Sequence, residues 1–365
     1  MIQLVNRGSM VKKILYFMHV DWRWIKQRPH FIAEGLSSYY DVTVVHFCSK
    51  HFLFREYDIS DYNLNILPAL RLPFYQNKII YALNREYIRI YFKFLIKKYN
   101  PDFIWITFPQ LYDYMPTELN CKLIYDCMDL ATGFDFSDDF KSKISEQEEK
   151  LVNDANLVLV SSDYLFKRLN NRDSCEKKLL KVRNAFNGQI IKNKPGKKLE
   201  KPFKIGYVGT ISQWINLEDI KKALDKLECI EFHFIGPLEI DIKLDDRTKF
   251  YGVIRHENLY EHVKDFDCLI MPFKLNALVK SVDPVKLYEY INFNKPIISI
   301  YYEELDYFSS FLYFYSNVEE LLNLFKKLIN TDFKRKYSNA ERIRFLKENS
   351  WDKRVKQIIK NLNVI

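Results

Sequence analysis

The feature of this chain that most restricts its fold is an alternation of short apolar segments with longer amphipathic ones. Apolar segments in the first half are predicted to be strands, at 12–20, 41–47, 103–108, 122–126 and 157–161. Segments with helical spacing of apolar residues stand between them, at 27–38, 77–98 and 137–153. This order is typical of a parallel sheet covered by helices on both faces.

The alternation stops at residues 192–202, a polar segment of sequence KNKPGKKLEKP, and then begins again. New strands are predicted at 204–209, 231–236, 249–253, 268–273 and 296–301. We therefore predict an α/β protein with two Rossmann-like, doubly wound domains, 11–191 and 203–348, which are joined by the linker 192–202 and face a central cleft. Residues 349–365 are expected to form a helix that returns to the first domain. Residues 1–10 have the character of an expression-tag remnant.

Composition excludes several classes of protein. The chain has nine glycines in 365 residues and contains neither GxGxxG nor GxxxxGK[ST], which argues against glycine-rich phosphate loops. Its six cysteines lack the spacing of metal ligands, which indicates reduced thiols in a cytoplasmic protein. A net charge of +9 without a compact nucleic-acid-binding motif predicts no nucleic-acid partner. We expect neither a signal peptide nor a membrane span.

The segment 280–296, KSVDPVKLYEYINFNKP, carries the strongest chemical signal. Asp283 before Pro284 predicts a helix start, because Asp is a preferred N-cap and Pro suits the first helical position. That helix follows the predicted strand 268–273, so its amino terminus is expected at the carboxyl edge of a parallel sheet, where an anion such as a diphosphate is favoured. Glu289, further along the helix, can accept hydrogen bonds from sugar hydroxyls.

Several ordered segments resemble GT-B glycosyltransferases, specifically the retaining family 4 group and its teichuronic-acid-biosynthesis-like branch. The resemblance covers nearly the whole chain and lies in WIKQRPHFIAEGL (24–36), IYDCMD (124–129), EEKLVNDANLVLVSS (148–162), KIGYVGTISQWIN (204–216), DCLIMPFKLNALVKSVDPVKLYEYINFNKPII (267–298) and SWDKRVKQI (350–358). The resemblance implies the two-domain GT-B fold and a nucleotide-sugar donor.

The resemblance also implies roles for residues of the second domain. The family has two glutamates eight residues apart, and the second, which binds the donor ribose, corresponds to Glu289. Ser281 stands where the first should be, which is a departure from the pattern. Lys286 is the candidate that neutralises the departing diphosphate, with Arg28 of the first domain as the second candidate. The remaining donor-binding candidates are Val282, Asp283, Pro284, Gly209, Thr210, Val253, Ile254, Lys274 and Lys280. Val253 and Ile254 are expected to contact the base, and Lys274 and Lys280 to replace an Arg/Lys pair that the family has after Gly209.

For the reaction, the resemblance implies transfer with retention, in which the leaving diphosphate helps to deprotonate the acceptor. The protein then acts chiefly by stabilising charge. We expect no metal ion and no cofactor. Asp21 and Asp129 follow predicted strands of the first domain, so either is a candidate to orient the acceptor hydroxyl, and His30 and Asp126 are candidates on the acceptor side. Strand-end aspartates are also common turn caps, and His30 is equally compatible with packing.

Positive charge is concentrated in two helical segments. Residues 76–99 contain six basic residues and one acidic residue, and residues 326–360 contain twelve and four. The first segment also carries interleaved apolar residues, a pattern found in helices that lie on anionic membranes. The alternative is an ordinary helix with a solvated charged face. Peripheral attachment to the inner face of the plasma membrane is therefore a hypothesis that stands beside this alternative.

Together these features predict a hexosyltransferase that uses a nucleotide-diphosphate sugar, with UDP as the expected nucleotide. Its acceptor would be a glycan or lipid-linked glycan in bacterial surface polysaccharide synthesis. Two alternatives stay open: a sugar-nucleotide epimerase of the same architecture, and a catalytically silent partner that binds a glycan or nucleotide. The departure at Ser281 supports the silent partner.

Overall fold

A computed structural model describes residues 11–48, 63–74, 77–171, 175, 177–192, 199–242 and 244–365 of the chain. The predicted tag remnant, 1–10, and residues 193–198 of the predicted linker lie outside the described residues. The described residues divide into two compact units. Unit 1 extends to Arg183 and includes Trp351–Ile365, and unit 2 comprises Asn184–Ser350.

Unit 1 is built on a parallel sheet of seven strands in the order β3-β2-β1-β4-β5-β6-β7. The strands are β1 (Lys13–Met18), β2 (Asp41–Phe47), β3 (Leu64–Ala69), β4 (Phe103–Ile106), β5 (Lys122–Cys127), β6 (Leu157–Val160) and β7 (Leu179–Lys181). The central strands β1, β4, β5 and β6 are buried along almost their whole length, as expected for a sheet covered on both faces. The chain order reverses between β1 and β4.

Helices of unit 1 are α1 (Arg28–Leu36), α2 (Lys78–Tyr99), α3 (Asp138–Asp154), α4 (Asp163–Asn170) and α11 (Trp351–Leu362). Local sequence explains their ends. Asn77 caps α2 by accepting from the backbone N–H groups of Ile79 and Ile80, and Asn100 ends it in a left-handed conformation. The last helix, α11, packs on α1: the rings of Phe31 and Trp351 stack 5.1 Å apart.

Unit 2 contains a parallel sheet of six strands in the order β10-β9-β8-β11-β12-β13. Its strands are β8 (Phe203–Val208), β9 (Ile230–Ile235), β10 (Thr248–Phe250), β11 (Cys268–Met271), β12 (Ile297–Ile300) and β13 (Leu312–Tyr315). Its helices are α5 (Leu217–Lys226), α6 (His256–Val263), α7 (Ala277–Ser281), α8 (Val285–Phe293), α9 (Val318–Asn330) and α10 (Asn339–Glu348). Here the order reverses between β8 and β11, and apolar clusters cover the sheet.

The boundary between the units differs from the predicted one. We expected the first domain to end at residue 191 and the second to begin at 203, but unit 2 already begins at Asn184. The physical reason is a set of hydrogen bonds that tie residues 184–191 to unit 2. The backbone N–H of Asn184 donates to the Asp283 carboxylate at 2.7 Å, and that of Phe186 donates to the Asn349 carbonyl at 2.7 Å. The backbone N–H of Ile191 donates to the side chain of Asn292.

Candidate functional site

The carboxyl edge of the unit 2 sheet carries two crossed glycine turns. Gly209 follows β8 with φ 139°, and Gly236 follows β9 with φ 142°, both values that side chains rarely allow. The N–H of Gly209 donates to the carbonyl of Ile235 at 2.8 Å, and a Cβ on Gly236 would lie 2.1 Å from the Gly209 oxygen. The close backbone crossing therefore requires glycine at position 236. The Gly209 turn lies where the strand order of the sheet reverses, between β8 and β11, which is the place where ligands of open parallel sheets bind.

Lys286, in the first turn of α8, extends to the Gly209 turn. Its Nζ donates to the hydroxyl of Tyr207 at 2.8 Å and lies over the rings of Tyr207 and Phe273, 4.7 and 4.9 Å from their centroids. A Cβ on Gly209 would be 2.6 Å from the same nitrogen. Among the described residues, no carboxylate forms an ion pair with this ammonium. The arrangement therefore presents a positioned positive charge at the Gly209 turn, which is suited to an anion.

Glu289 lies one turn further along α8 and pairs with His256, the first residue of α6. Its Oε1 is 3.1 Å from Nε2 of His256, and the two side chains are 26% and 62% exposed. The hydrogen bond to Glu289 raises the pKa of His256, and burial opposes the shift. The carboxylate is thus partly accessible and held in place. Sequence reasoning did not identify His256, because a histidine 33 residues away from Glu289 gives no local signal of the pair.

Arg28, the second residue predicted to bind the diphosphate, makes its contacts inside unit 1. The Arg28 guanidinium is 1% exposed and donates to the Asp126 carboxylate at 2.8 and 2.9 Å and to the Val182 carbonyl at 2.7 Å. Asp126 itself is fully buried. The expectations that Arg28 meets the diphosphate and that Asp126 faces the acceptor are therefore corrected: the two residues form an internal ion pair that joins α1 to β5.

Asp21 and His30 are also held by internal contacts. The Asp21 carboxylate accepts from Nε and Nη2 of Arg23 at 2.9 and 2.8 Å, and it is 6% exposed. His30 is fully buried, with Nδ1 3.2 Å from the backbone N of Gln27 and Nε2 3.1 Å from the Trp22 carbonyl. Burial lowers the pKa of His30 to about 4, so it is neutral at pH 7. These contacts favour the packing interpretation of His30 and argue against an acceptor role for either residue.

Asp129 is the predicted acceptor-side carboxylate that stays available. It is half-buried beyond the end of β5, and none of the described residues donates a hydrogen bond to its carboxylate. Burial raises its pKa to about 6, with Arg28 lowering it and Asp126 raising it. A carboxyl group with a pKa in this range can exchange a proton near neutral pH.

His19 was not predicted as a site residue, yet it lies where the strand order of unit 1 reverses. It follows β1, and its Nδ1 is 3.0 Å from Oγ1 of Thr107, which follows β4. Burial lowers the pKa of His19 to about 3, with Arg71 and His30 adding to the shift. The imidazole is therefore neutral. His19 can be recognised as a site residue only from the order of the strands in the sheet. That order cannot be predicted from the local sequence around His19.

No family model matches the chain. It is 23% identical over 221 residues to TuaH of Bacillus subtilis, named as a teichuronic acid biosynthesis glycosyltransferase; the match spans 53% of this chain and 54% of TuaH. Sucrose-phosphate synthase from Thermosynechococcus elongatus superposes with a TM-score of 0.76 at 12% identity, over 96% of this chain and 98% of that one. HepE of Anabaena, solved with UDP and glucose, superposes with a TM-score of 0.67 at 13% identity, over 97% and 100%.

The chain has the GT-B fold. The two parallel sheets with their flanking helices confirm the predicted fold class, and the similarity to TuaH agrees with the family resemblance of the sequence motifs. Within the residues that the structure describes, none of the helices combines the length and apolarity needed to span a bilayer.

Two predictions about the α7–α8 segment of this GT-B chain were wrong. Asp283 does not cap α8: the helix begins at Val285 after Pro284, which makes no side-chain cap, and the Asp283 carboxylate instead accepts from Asn184 and Tyr288. Ser281 is fully buried, and its hydroxyl donates to the Leu278 carbonyl at 2.7 Å. Both side chains are therefore used inside unit 2, which corrects the expectation that they contact a donor.

The other predicted donor residues have varied exposure. Thr210 is half-exposed and accepts from the Tyr207 hydroxyl through its carbonyl at 3.0 Å. Val253 is 72% exposed, whereas Ile254 is half-exposed and packs on the core. Lys274 and Lys280 are exposed, Val282 is half-exposed, and Pro284 is buried. Their roles stay predictions.

Proposed function

We propose that this chain is a glycosyltransferase. It transfers a hexose from a nucleotide-diphosphate sugar, with UDP as the nucleotide, to a glycan or lipid-linked glycan acceptor in bacterial surface polysaccharide synthesis. The observation that carries the proposal is the Lys286 ammonium, held over the Gly209 turn by Tyr207 without a carboxylate partner among the described residues. The name of TuaH and the UDP and glucose bound in HepE support the choice of acceptor pathway and nucleotide.

In the proposed reaction, the bond between the anomeric carbon and the diphosphate breaks as the acceptor oxygen bonds to that carbon on the same face. The acceptor proton passes to the leaving diphosphate, so the sugar keeps its configuration. Lys286, held at the Gly209 turn, stabilises the negative charge that develops on the diphosphate. This charge stabilisation requires no metal ion or cofactor in the proposal.

Glu289 holds the hydroxyl groups of the donor, because its carboxylate is partly accessible and fixed by His256. In the proposal, Val253 and Ile254 contact the base, and Lys274 and Lys280 add positive charge around the diphosphate. Asp129, with its pKa of about 6, orients the acceptor hydroxyl. We place the enzyme in the cytoplasm, where its six cysteines remain thiols.

A panel of nucleotides and nucleotide sugars in a thermal-shift assay tests the donor, since a ligand that binds the folded state raises the melting temperature. UDP and UDP-hexoses should stabilise the protein more than uridine does. Product analysis then separates the alternatives. Released UDP with a transferred or hydrolysed sugar supports the transferase, an isomerised sugar nucleotide supports the epimerase, and binding without turnover supports the silent partner. Glu289→Ala should abolish turnover, and unchanged turnover in that variant would refute the proposed site.

A further inference from the structure

Helix α2 of unit 1 has two apolar faces. One is buried in the unit and includes Tyr81, Ile88, Phe92 and Leu95, with the polar Asn84 buried among them. The other is in solvent and consists of five large side chains that are 52–73% exposed: Ile79, Leu83, Tyr87, Ile90 and Phe94. A surface helix of a water-soluble domain requires only the first of these faces.

The exposed side chains form a single strip along the helix. Successive members are spaced by three or four residues, so with roughly 3.6 residues per turn all five fall within an arc of about 80°. The centre of that arc is on the opposite side of the helix from the buried face, by about 140° on the same geometry. The strip is therefore a coherent surface and is distinct from the core contact.

The segment before α2 exposes three further apolar side chains. Leu70, Leu72 and Phe74 are 57%, 53% and 77% exposed. The segment is tied to the helix, because the backbone N–H of Leu72 donates to Oδ1 of Asn84 at 2.9 Å and its carbonyl accepts from Nδ2 at 3.2 Å. Apolar side chains exposed together in this number usually mark an interaction surface.

Charge identifies the partner. α2 contains six basic residues, of which Lys78, Lys93, Lys97 and Lys98 are exposed and Arg85 and Arg89 are half-exposed. Its one acidic residue, Glu86, is paired with Arg85 at 3.1 Å. An apolar strip bordered by lysines matches a surface that offers negative charge at its boundary and hydrocarbon beneath it, which is the interface of an anionic bilayer.

We propose that the exposed strip of α2, together with Leu70, Leu72 and Phe74, docks on an anionic lipid bilayer. The helix lies in the plane of the interface, the apolar side chains enter the boundary between headgroups and acyl chains, and the lysines bind the headgroups. This docking does not depend on any transferase activity, so it can fail or succeed separately from the proposed function.

Flotation of the full chain with vesicles tests the proposal. The probes are vesicles of phosphatidylglycerol and phosphatidylcholine in equal parts, and vesicles of phosphatidylcholine alone. We expect binding to the anionic vesicles and at least roughly tenfold weaker binding to the neutral ones. Leu83→Ser with Ile90→Ser, and separately Lys93→Glu with Lys97→Glu, should each weaken anionic binding by roughly tenfold or more. All four side chains are exposed, so the fold should persist, and circular dichroism checks this.

Two control variants make the same kinds of substitution outside α2. Val11→Ser with Val364→Ser removes exposed apolar side chains, and Lys221→Glu with Lys226→Glu reverses exposed charges on α5; both should bind vesicles like the wild type. The proposal is overturned if anionic vesicles are not bound, or if the α2 variants bind as the controls do. It is also overturned if sedimentation shows a self-association that Leu83→Ser with Ile90→Ser abolishes while vesicle binding persists, because the strip then belongs to a second copy of the chain.

Discussion

The ammonium of Lys286 lies 2.6 Å from the point that a Cβ atom would occupy on Gly209. The first turn of α8 and the turn after β8 therefore share one small volume at the carboxyl edge of the unit 2 sheet. A ligand anion that lies against that turn also contacts the positive charge.

Replacing Lys286 by Met keeps the length of the side chain and removes its charge. We expect kcat/KM for release of UDP from a UDP-hexose to fall by roughly 100-fold, the usual cost of losing one group that stabilises transition-state charge. Binding of UDP should weaken more than binding of uridine. Lys226→Met is the comparison, because Lys226 is exposed at the end of α5 and has no role in the proposed site, and a similar loss there would show that general charge rather than this position matters.

Replacing Tyr207 by Phe removes the hydroxyl that accepts from Lys286 at 2.8 Å and donates to the Thr210 carbonyl at 3.0 Å. The lysine is then less restrained, so kcat/KM should fall by roughly tenfold. Tyr313→Phe removes a hydroxyl that donates to the Lys334 carbonyl elsewhere in unit 2 and should have no effect on kinetics. Equal kinetics in both variants would mean that Tyr207 does not position Lys286.

The pair of His256 and Glu289 predicts a dependence of stability on pH. Glu289 raises the pKa of His256 in the folded protein, so the pair stabilises the folded state below the unfolded pKa, and this contribution is lost as the pH rises through the folded pKa. The difference in unfolding free energy between wild type and Glu289→Gln should be largest in mild acid and vanish in mild alkali. Ring NMR signals should show a lower pKa for His256 in the variant; an unchanged pKa would contradict the pairing.

The ionisation of Asp129 should change the stability of the folded protein with pH in a different way, by destabilising it. Its folded pKa of about 6 lies above its ordinary value, so its ionisation opposes folding as the pH rises from the unfolded pKa through the folded one. Asp129→Asn removes this cost and should raise the unfolding free energy at neutral pH by about 1 kcal/mol, allowing for its partial exposure, with no gain below about pH 4. Denaturant titrations at both pH values measure this. Loss of transferase activity in the same stable variant would support the acceptor role, and full activity would refute it.

The Arg28 and Asp126 pair should act on stability. Arg28→Met leaves a buried carboxylate without its partner, which typically costs about 3–5 kcal/mol. Arg28→Met combined with Asp126→Asn should recover part of that loss, because the uncompensated charge is gone. Chemical denaturation measures all three proteins. If Arg28→Met keeps the wild-type stability and loses only binding of UDP, Arg28 belongs to the donor site after all.

Much of the fold could be predicted because the signals for strands and helices are local. Segment 41–47 is β2 as predicted, and 77–98 differs from α2 by one residue at each end. The strands β3, β7 and β13 were missed: β3 contains a proline, and β7 has three residues, features of sheet edges that weaken an apolar pattern.

The site was predicted less completely, for a physical reason. Lys286 and Glu289 were identifiable because the segment around them forms one helix. Arg28 and Asp126 are 98 residues apart, and the Asp283 partner Asn184 is 99 residues away, so no local pattern shows that these groups neutralise or bind each other. Charged residues near strand ends look the same in sequence whether they meet a ligand or a distant part of the chain.

Helix α11 has a consequence for how the chain is made. It belongs to unit 1, yet it follows the whole of unit 2 in sequence, and Val355 packs so closely on Gly35 that a Cβ there would lie 2.4 Å from it. During synthesis from the amino terminus, Phe31 and Gly35 of α1 therefore stay uncovered until residues 351–362 have left the ribosome. Unit 1 therefore begins to fold before unit 2 but can complete its packing only after unit 2 has been synthesised.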